Sequence, residues 1–599
     1  MFSRCTFVDF YSEIIAGILR GEIMKSNFQT RKIKLASKYK MGNIPRNSEI
    51  LARASKEDLP HILPVLRRKA VRTISGVAVV AVMTSPEKCP HGKCIYCPGG
   101  PDYGSAQSYT GKEPAARRAG SLSFDPYRQV RHRIEQLNAI GHSTDKIDLI
   151  VMGGTFTARP LDYQEQFVKR CFDAMNSFSI DRTGQLAAGD FGALNLEEAQ
   201  LLNETAKSRC VGLTVETRPD YCREMHVDNI LRFGATRVEL GVQTVYDDVL
   251  RLVERGHGVA ETIEATRLCK DSGLKVCYHM MPGLPGNDIE RDFNAFKTIF
   301  ENPDFRPDML KIYPALVIKG TKLYDLWKRG EYEPIGTEEA VKLLARVKEI
   351  VPPWVRIQRI ERDIPTNLID AGIMQSNIRE LIADELAAHG KKCRCIRCRE
   401  MGYGALKGRK IDKSSIVLSR IDYGASGGNE IFLSYEDKSS DCLIGYLRLR
   451  LPSPKAHRPE ISGRTRKSKC DNCSLVSITG ELKSHFDFSS EETVARCEDT
   501  ALILDTRYSL LNMERPPLVT CAIVREVKVL GQMVEIGAVG GADTAQHRGY
   551  GAALLREAEK IAKDELGASK MLVMSGVGVR EYYRKFGYGR EGAYMGKKL

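Results

Sequence analysis

Three cysteines near residue 90 have a spacing that suits an iron–sulfur cluster. Cys89, Cys94 and Cys97 follow the pattern C-x4-C-x2-C, shortly after an apolar segment of strand length. Three thiolates can bind three irons of a 4Fe–4S cluster, which leaves the fourth iron open to chelate a small molecule. The alternative is structural zinc, which needs four ligands, and His91 lies too close to Cys89 for easy tetrahedral geometry. The spacing therefore favours the cluster.

A glycine-rich segment near the end of the chain suits a phosphate ligand. Gln546-x-x-Gly549-x-Gly551 directly precedes an amphipathic segment, Ala552–Leu566, and follows segments of strand character. Glycines let the backbone approach a ligand closely, and the free N–H groups at a helix start attract negative charge. A glycine-rich loop alone would be weak evidence, but this order of strand, loop and helix predicts a pyrophosphate site.

A second group of cysteines suits zinc. Cys393, Cys395 and Cys398 form C-x-C-x2-C within a basic stretch. Four thiolates make a closed zinc site, and the fourth could come from Cys470 or Cys473. A second iron–sulfur cluster and a set of unliganded thiols remain as alternatives.

Composition indicates a globular protein of several domains. The chain has 599 residues, of which 42% are hydrophobic and 28% charged, a balance typical of folded soluble domains. No apolar run approaches the length of a membrane span, so we expect no membrane partner. The N-terminus lacks the apolar stretch of a secretory signal. With 17 cysteines, more typical of ligands and buried thiols than of disulfides in such a chain, we expect a cytoplasmic protein.

The charge is positive and concentrated in basic stretches. The net charge is +14, and residues 25–46 carry seven Lys or Arg and no acid. Residues 391–410 carry eight against Glu400 alone, and a third stretch spans 455–469. One such run usually indicates a solvated surface. Three together favour binding to a phosphate backbone, and thus to nucleic acid.

The elements that would position these motifs divide into four regions. Residues 1–75 are predicted to form a basic arm that binds RNA. In residues 76–365, short apolar segments alternate with amphipathic ones, which predicts parallel strands joined by helices in a full or partial (β/α) barrel. In such barrels the chemistry lies at the carboxyl ends of the strands. Residues 366–420 form a cysteine-rich linker, and residues 421–599 a mixed α+β domain with an insertion near 455–515.

The motifs resemble those of three enzyme families. A cysteine triplet after the first barrel strand is similar to that of the radical S-adenosylmethionine superfamily, with one residue more than the commonest spacing. The wider set of motifs resembles the catalytic subunits of Elongator, in the stand-alone archaeal or bacterial form. It comprises Cys94-Ile-Tyr-Cys-Pro-Gly-Gly-Pro-Asp102, Gln107-Ser-Tyr-Thr-Gly111, Met152-Gly-Gly-Thr-Phe156, Glu216-Thr-Arg-Pro-Asp-Tyr221 and His279-Met-Met-Pro282. The C-terminal domain resembles the GNAT acetyltransferases, with which that family ends.

These resemblances imply two ligand sites. For S-adenosylmethionine, Gly153, Gly154 and Thr155 resemble the superfamily's glycine motif, although an ordinary strand-end turn would look similar, and Glu216 and Gln243 are candidate contacts. For acetyl-CoA, the matching residues are Gln546, Gly549, Tyr550, Gly551, Ala552, Glu526, Val527, Lys528, Val529, Tyr583 and Lys146. Lys528 departs from the usual histidine. Tyr582 and Tyr583 could instead pack in a hydrophobic core. The assignment of Lys146 to the acetyl-CoA site depends on the Elongator resemblance alone. Cys89, Cys94, Cys97, Lys146 and Tyr583 are the expected catalytic residues.

The Elongator resemblance also implies the reaction. A 5′-deoxyadenosyl radical would remove hydrogen from the acetyl methyl of acetyl-CoA, and the carbon radical would add to C5 of the wobble uridine of tRNA. Thioester hydrolysis would leave a carboxymethyl group. We expect both reagents to share one chamber. The implied partners are the anticodon stem-loop, an electron donor, and a second copy or Elongator-like accessory subunits. A protein lysine acetyltransferase with a structural cluster and a non-catalytic tRNA-binding scaffold remain as alternatives.

Overall fold

The computed structural model describes most of the chain. The described residues are 9–456, except 56, 68–72, 178–191, 362 and 407, and 521–599, except 532, 535 and 537–544. Cys470, Cys473 and almost all of the predicted insertion lie outside them. Within these ranges, no helix is both long enough and apolar enough to cross a bilayer.

The N-terminal region is a small helical unit. Its helices are α1 (Phe10–Leu19), α2 (Phe28–Lys38), α3 (Asn47–Leu51) and α4 (Leu59–Leu66). They share a buried core that includes Phe10, Ile14, Phe28, Ile50 and Ile62. We predicted a basic arm, but not its helical core, because helices this short provide too few turns for a clear apolar period in the sequence. Arg67 ties the unit to the next region by donating to the carbonyl of Gly141 at 2.8 Å.

A seven-stranded parallel sheet forms the centre of the molecule. Its strands pair in chain order, and no pairing between the first and the last is found in the described part of the chain. They are β1 (Ala78–Met83), β2 (Lys146–Met152), β3 (Arg209–Thr217), β4 (Arg237–Gln243), β5 (Lys275–Met280), β6 (Met309–Ile312) and β7 (Arg356–Ile360). The sheet is therefore an open, partial barrel. This confirms the predicted fold class, which allowed a full or a partial barrel.

Most helices of this region cover the outer face of the barrel. In chain order the helices are α5 (Pro114–Ser121), α6 (Pro126–Ala139), α7 (Leu161–Asn176), α8 (Leu196–Asn203), α9 (Glu224–Arg232), α10 (Asp247–Leu252), α11 (Val259–Asp271), α12 (Ile289–Glu301), α13 (Lys322–Lys328), α14 (Thr337–Ile350) and α15 (Ile378–Ala388). Of these, α10 and α13 pack against the loop that contains Cys94 and Cys97. Alternate strand residues, such as Ile147, Leu149 and Val151, are fully buried against the outer helices. The residues between them face the lumen, because successive strand residues point to opposite faces.

The C-terminal domain is a mixed sheet that carries its main helix on one face. Two short helices, α16 (Ile396–Arg399) and α17 (Met401–Leu406), lead into it. The strand order is β13-β14-β12-β11-β10-β9-β8, and only β11 and β12 pair in parallel. The elements are β8 (Ile416–Ala425), β9 (Gly428–Asp437), β10 (Cys442–Leu451), β11 (Cys521–Val529), α18 (Tyr550–Lys560), β12 (Lys570–Val573), α19 (Arg580–Arg584), β13 (Gly589–Glu591) and β14 (Tyr594–Lys598).

A network of buried charges joins the two sheets. Asp308, just before β6, accepts two hydrogen bonds from Arg525 of β11, at 2.6 and 2.8 Å. Arg450 of β10 donates to Asp271 of the barrel at 2.5 Å and to Glu430 of β9 at 2.9 Å. All five side chains are almost completely buried. Because a buried charge is tolerated only when it is paired, this network fixes the position of the C-terminal domain on the barrel.

Candidate active site

The three predicted cluster cysteines lie in the loop that follows β1, at the carboxyl end of the barrel. Cys94 and Cys97 are buried, and Cys89 is partly exposed. Their sulfurs do not form a set within 4.8 Å of one another, unlike those of Cys393, Cys395 and Cys398, in the searched part of the chain. Ligands of one tetrahedral zinc ion lie about 4 Å apart. The wider arrangement fits a cluster better than a single ion.

The surroundings of these sulfurs supply positive charge and hydrogen-bond donors. Arg255 is buried; its guanidinium lies 3.6 Å from the Cys94 sulfur and donates to the Gly241 carbonyl at 2.7 Å. It forms no ion pair with a carboxylate in the described residues. Gln107 donates to the Cys97 sulfur at 3.1 Å. Thiolates of a cluster would balance the buried arginine, so the residues present fit that group.

The glycines predicted to bind S-adenosylmethionine lie beside this loop. Gly153 and Gly154 follow β2 with φ of 139° and 72°. A Cβ on Gly153 would lie 1.9 Å from the Thr84 hydroxyl oxygen, so only glycine fits there. The Thr155 hydroxyl lies 3.5 Å from the Cys89 sulfur. The backbone after β2 is thus held close to the cluster loop. A ligand such as S-adenosylmethionine could therefore contact both segments at once.

Two further predicted contacts, Glu216 and Gln243, face the lumen near the same end. Gln243 ends β4 with φ of 75°, and its buried side-chain oxygen has no partner among the described residues. Glu216 accepts from Tyr109 at 2.9 Å and from Lys311 at 3.3 Å. Gln243 therefore keeps an acceptor free for a ligand, whereas the carboxylate of Glu216 is already bonded.

A buried charged group lies deeper in the lumen. Lys311 of β6 also bonds Glu239 of β4, which accepts from His279 at 3.0 Å. Burial opposes ionisation of Glu239, but Lys311 and His279 hold its pKa well below its ordinary value. Sequence reasoning did not single out Lys311 or Glu239 because a charged residue in a strand usually indicates a solvated position.

The second site is a cavity of about 580 Å³ between the barrel and the C-terminal domain. From the barrel it is lined by the first residues of four strands, namely Lys146, Arg209, Arg237 and Lys275, and by residues 75–77. From the C-terminal domain it is lined by Glu526, Val527, Lys528, Val529, Gln546, His547, Tyr582 and Tyr583. The structure thus brings most of the predicted acetyl-CoA residues to one cavity.

Lys146, expected only from the resemblance, lies at this cavity. Its amine donates to the carbonyl of Val534 at 2.6 Å and lies 3.3 Å from the side-chain oxygen of Gln546. Burial lowers the pKa of Lys146, and the neighbouring Asp145 opposes that effect. The lysine therefore connects the first residue of β2 to the segment before α18.

The predicted pyrophosphate loop forms the start of α18. Gly549 has φ of 86° and precedes the helix without a side-chain cap. The first N–H groups, those of Tyr550, Gly551 and Ala552, have no carbonyl partner within the helix, so they can bind an anion. Gln546 has another role: it accepts from the Val534 N–H at 3.0 Å and donates to the Val529 carbonyl at 3.3 Å. It fixes the segment before the loop.

A gap between β11 and β12 continues the cavity towards the barrel. Their pairing ends at Val524 and Val573, while β11 runs on to Val529. Beyond Val524, β11 therefore has backbone groups that β12 does not pair and that an extended ligand can reach, except the Val529 carbonyl, which accepts from Gln546. Tyr583 lines the gap and is buried, and burial raises its pKa above the ordinary value. Tyr582 is half-buried and also lines the cavity, so both tyrosines face it.

The two sites lie at opposite ends of the barrel. The cluster loop follows the carboxyl end of β1, whereas the cavity lies at the amino ends of β2 to β5. Seven residues of β2 span roughly 20 Å. The expectation of one shared chamber stays a prediction, and in this fold the barrel lumen between the two sites is the space in which the reagents would meet.

The lumen between the sites is accessible on one side. On β2, the lumen-facing Lys146, Asp148, Ile150 and Met152 are all partly exposed, whereas the residues between them are buried. On β1, Val79 is 40% exposed. Packed barrels fill this space with side chains. An accessible stripe therefore runs along β1 and β2 from the cavity to the glycines beside the cluster loop.

Four independent family models match the chain. They are the ELP3 N-terminal domain over residues 7–74, the radical SAM superfamily over 83–296, the radical SAM C-terminal domain over 307–388 and the acetyltransferase (GNAT) family over 509–588. A tRNA uridine(34) acetyltransferase of Methanocaldococcus jannaschii is 51% identical, over 93% of this chain and 90% of its own length. The chain belongs to the family of the tRNA uridine(34) acetyltransferases and Elongator complex protein 3.

Other members of this family agree in extent and fold. Elongator complex protein 3 of Saccharomyces cerevisiae is 40% identical and is covered over 96% of its length. The solved structure of Methanocaldococcus infernus Elp3 with an N-terminal deletion is 46% identical. It superposes with a TM-score of 0.67, covering 88% of this chain and all of that one. The resemblance inferred from the motifs is thus confirmed, and the chain is an enzyme of the radical SAM and GNAT type.

Proposed function

We propose that this protein modifies the wobble uridine of tRNA with a group derived from acetyl-CoA, using radical chemistry. One observation carries the proposal: the same barrel has a cluster loop at one end, a coenzyme cavity at the other and an accessible lumen between them. When bound, a 4Fe–4S cluster with S-adenosylmethionine would supply a carbon radical. The lumen offers the acyl group and the radical a path to each other.

Particular side chains would hold the two ligands. Cys89, Cys94 and Cys97 would bind the cluster, with Arg255 balancing its charge. The backbone at Gly153 and Gly154 and the free oxygen of Gln243 would bind S-adenosylmethionine. At the cavity, the start of α18 would bind the pyrophosphate of acetyl-CoA, and residues 526–529 would pair with its extended arm. Tyr583 would lie near the thioester.

The charge of the cavity argues against protein lysine acetylation. Six Lys or Arg residues and three Asp or Glu residues line it. A lysine substrate enters such a cavity against repulsion, and the nearby Glu526 is already bonded to Arg448 at 3.1 Å. These cations also suit the phosphates of a coenzyme. Because Glu526 is not free to act as a general base, the cavity disfavours the lysine alternative.

Two basic surfaces are the proposed contacts for the tRNA backbone. On α2, Arg31, Lys34 and Lys38 are exposed, although Lys38 also pairs with Glu13. In residues 391–410, Lys391, Lys392, Arg409 and Lys410 are exposed, whereas Arg399 is buried against Glu436 at 3.0 Å. The second surface thus has fewer free charges than the sequence suggested. An external electron donor and further subunits are proposed partners.

The second cysteine group is the proposed zinc site. The sulfurs of Cys393, Cys395 and Cys398 lie within 4.8 Å of one another, a separation that suits one tetrahedral ion. We expect Cys395→Ser to release about one zinc per chain, measured by elemental analysis, and to lower the melting temperature. Cys442→Ser, a buried cysteine outside the group, should keep the zinc. Unchanged metal content in Cys395→Ser would contradict the site.

Anaerobic reconstitution tests the proposed function. The purified chain would be loaded with iron and sulfide, reduced, and given S-adenosylmethionine, acetyl-CoA and tRNA. We expect nucleoside mass spectrometry to detect a carboxymethyl group on the wobble uridine, together with 5′-deoxyadenosine. An intact cluster that yields neither compound would favour the scaffold alternative.

A further inference from the structure

A lysine that the sequence did not single out extends into the coenzyme cavity. Lys275 is the first residue of β5, is 9% exposed and lines the cavity. Its amine forms neither a hydrogen bond nor an ion pair with any residue that the structure describes. Burying a charged amine without a partner is costly, so such a group usually serves a ligand. Lys275 therefore presents an ammonium that is free to donate to an acceptor on an occupant of the cavity.

The position of Lys275 indicates which part of a ligand it meets. The arm of a coenzyme held at the start of α18 would run along residues 526–529 and point into the gap beyond Val524 and Val573. The turn before β5 packs on this gap, since a Cβ on Gly273 would lie 3.0 Å from Ile523 and 3.4 Å from Met574. Lys275 follows two residues later. Lys275 lines the cavity next to this turn, so the far end of the arm, where an acyl group would be, would come close to it.

The neighbouring charges leave the amine able to donate. The carboxylates of Glu526 and Asp148 stabilise the ammonium, while Arg237 and Lys528 oppose it. Burial lowers the pKa of Lys275 to about 8. The amine is thus still mostly protonated at neutral pH and carries three N–H donors.

We propose that Lys275 is a catalytic residue that binds the carbonyl oxygen of the coenzyme's acyl group by donating a hydrogen bond from its ammonium. This role rests on the proposed function, because it assumes an acyl thioester in the cavity. The ammonium would withdraw electron density from the carbonyl, which favours loss of a hydrogen atom from the adjacent methyl and later attack of water on the thioester. Neither the cysteine loop nor the radical site is needed for the contact itself.

Binding of two stable thioethers tests the proposal without turnover. S-acetonyl-CoA has the carbonyl, and S-ethyl-CoA lacks it. We expect calorimetry to show that the wild type prefers the acetonyl compound by about tenfold, the size of one charge-assisted hydrogen bond. Lys275→Met should lose this preference while binding S-ethyl-CoA as before, and Lys275→Arg should retain part of it.

Lys585→Met is the matched control. Lys585 also lines the cavity, but it is exposed and follows α19 on the C-terminal domain. It should keep the carbonyl preference. Retention of the preference in Lys275→Met, or its loss in Lys585→Met, overturns the assignment. Equal affinity of the wild type for both compounds overturns the role of Lys275 alone, whereas binding of neither counts against the coenzyme site and thus also against the proposed function.

Discussion

Asp308→Ala is expected to destabilise the protein by about 3–5 kcal/mol, because it leaves buried arginines without their counter-charge. Asp308 accepts from Arg525 and lies 3.4 Å from Arg448 and 3.7 Å from Lys270. Burial opposes its ionisation, but these cations hold the pKa of Asp308 well below the ordinary value of 3.8. Chemical denaturation at neutral pH measures the loss of free energy of unfolding.

The pH dependence and an exposed pair provide the controls. The pKa of Asp308 is lower in the folded than in the unfolded state. Its carboxylate therefore stabilises the fold fully above the unfolded pKa, and this stabilisation is lost progressively as the pH falls from there through the folded pKa. The gap between wild type and variant should therefore close in acid. Glu338→Ala breaks the exposed pair with Lys342 and should cost only about 0.3–0.5 kcal/mol. A loss of that size in Asp308→Ala would show that the network is not important for stability.

Cys94→Ala is expected to abolish modification of the tRNA and formation of 5′-deoxyadenosine. The buried thiol lies beside Arg255, and the fit of this loop to a cluster depends on all three sulfurs. The affinity for S-ethyl-CoA should stay as in the wild type, because the cavity lies at the other end of the barrel. Nucleoside mass spectrometry and calorimetry on the same preparation measure both effects.

Cys521→Ala is the matched control for this variant. Cys521 is a partly exposed cysteine at the start of β11, outside both cysteine groups. Its variant should keep the full iron content and activity. Transfer of acetyl groups to protein by Cys94→Ala, at the wild-type rate, would instead support the lysine acetyltransferase alternative.

The sequence predicted those parts of the fold that have a regular apolar pattern. Six barrel strands were expected close to their observed positions, because each has a short β-branched segment. β7 was missed since Arg356 and Arg359 interrupt its five residues. β8 was missed because polar residues alternate along its ten residues, as befits an edge strand. The cysteine and glycine motifs could also be predicted, because ligand binding fixes the spacing of their residues along the chain.

The rest of the site depends on contacts between distant segments. Lys275 is a single lysine at a strand start, a position where a solvated residue would look the same. Asp308 and Arg525 are 217 residues apart, and neither belongs to a motif. The placement of the coenzyme cavity below the barrel also follows from such contacts. Sequence spacing predicts motifs within one segment of the chain. It does not predict ion pairs between distant segments, which form only when the chain folds.

The accessible stripe in the lumen has a kinetic consequence. The coenzyme cavity and the exposed side of the lumen along β1 and β2 are separate openings, so an RNA base that enters along the stripe would not obstruct a coenzyme held in the cavity. Neither should therefore compete with the other in initial-rate measurements, and the complex of both can assemble in either order.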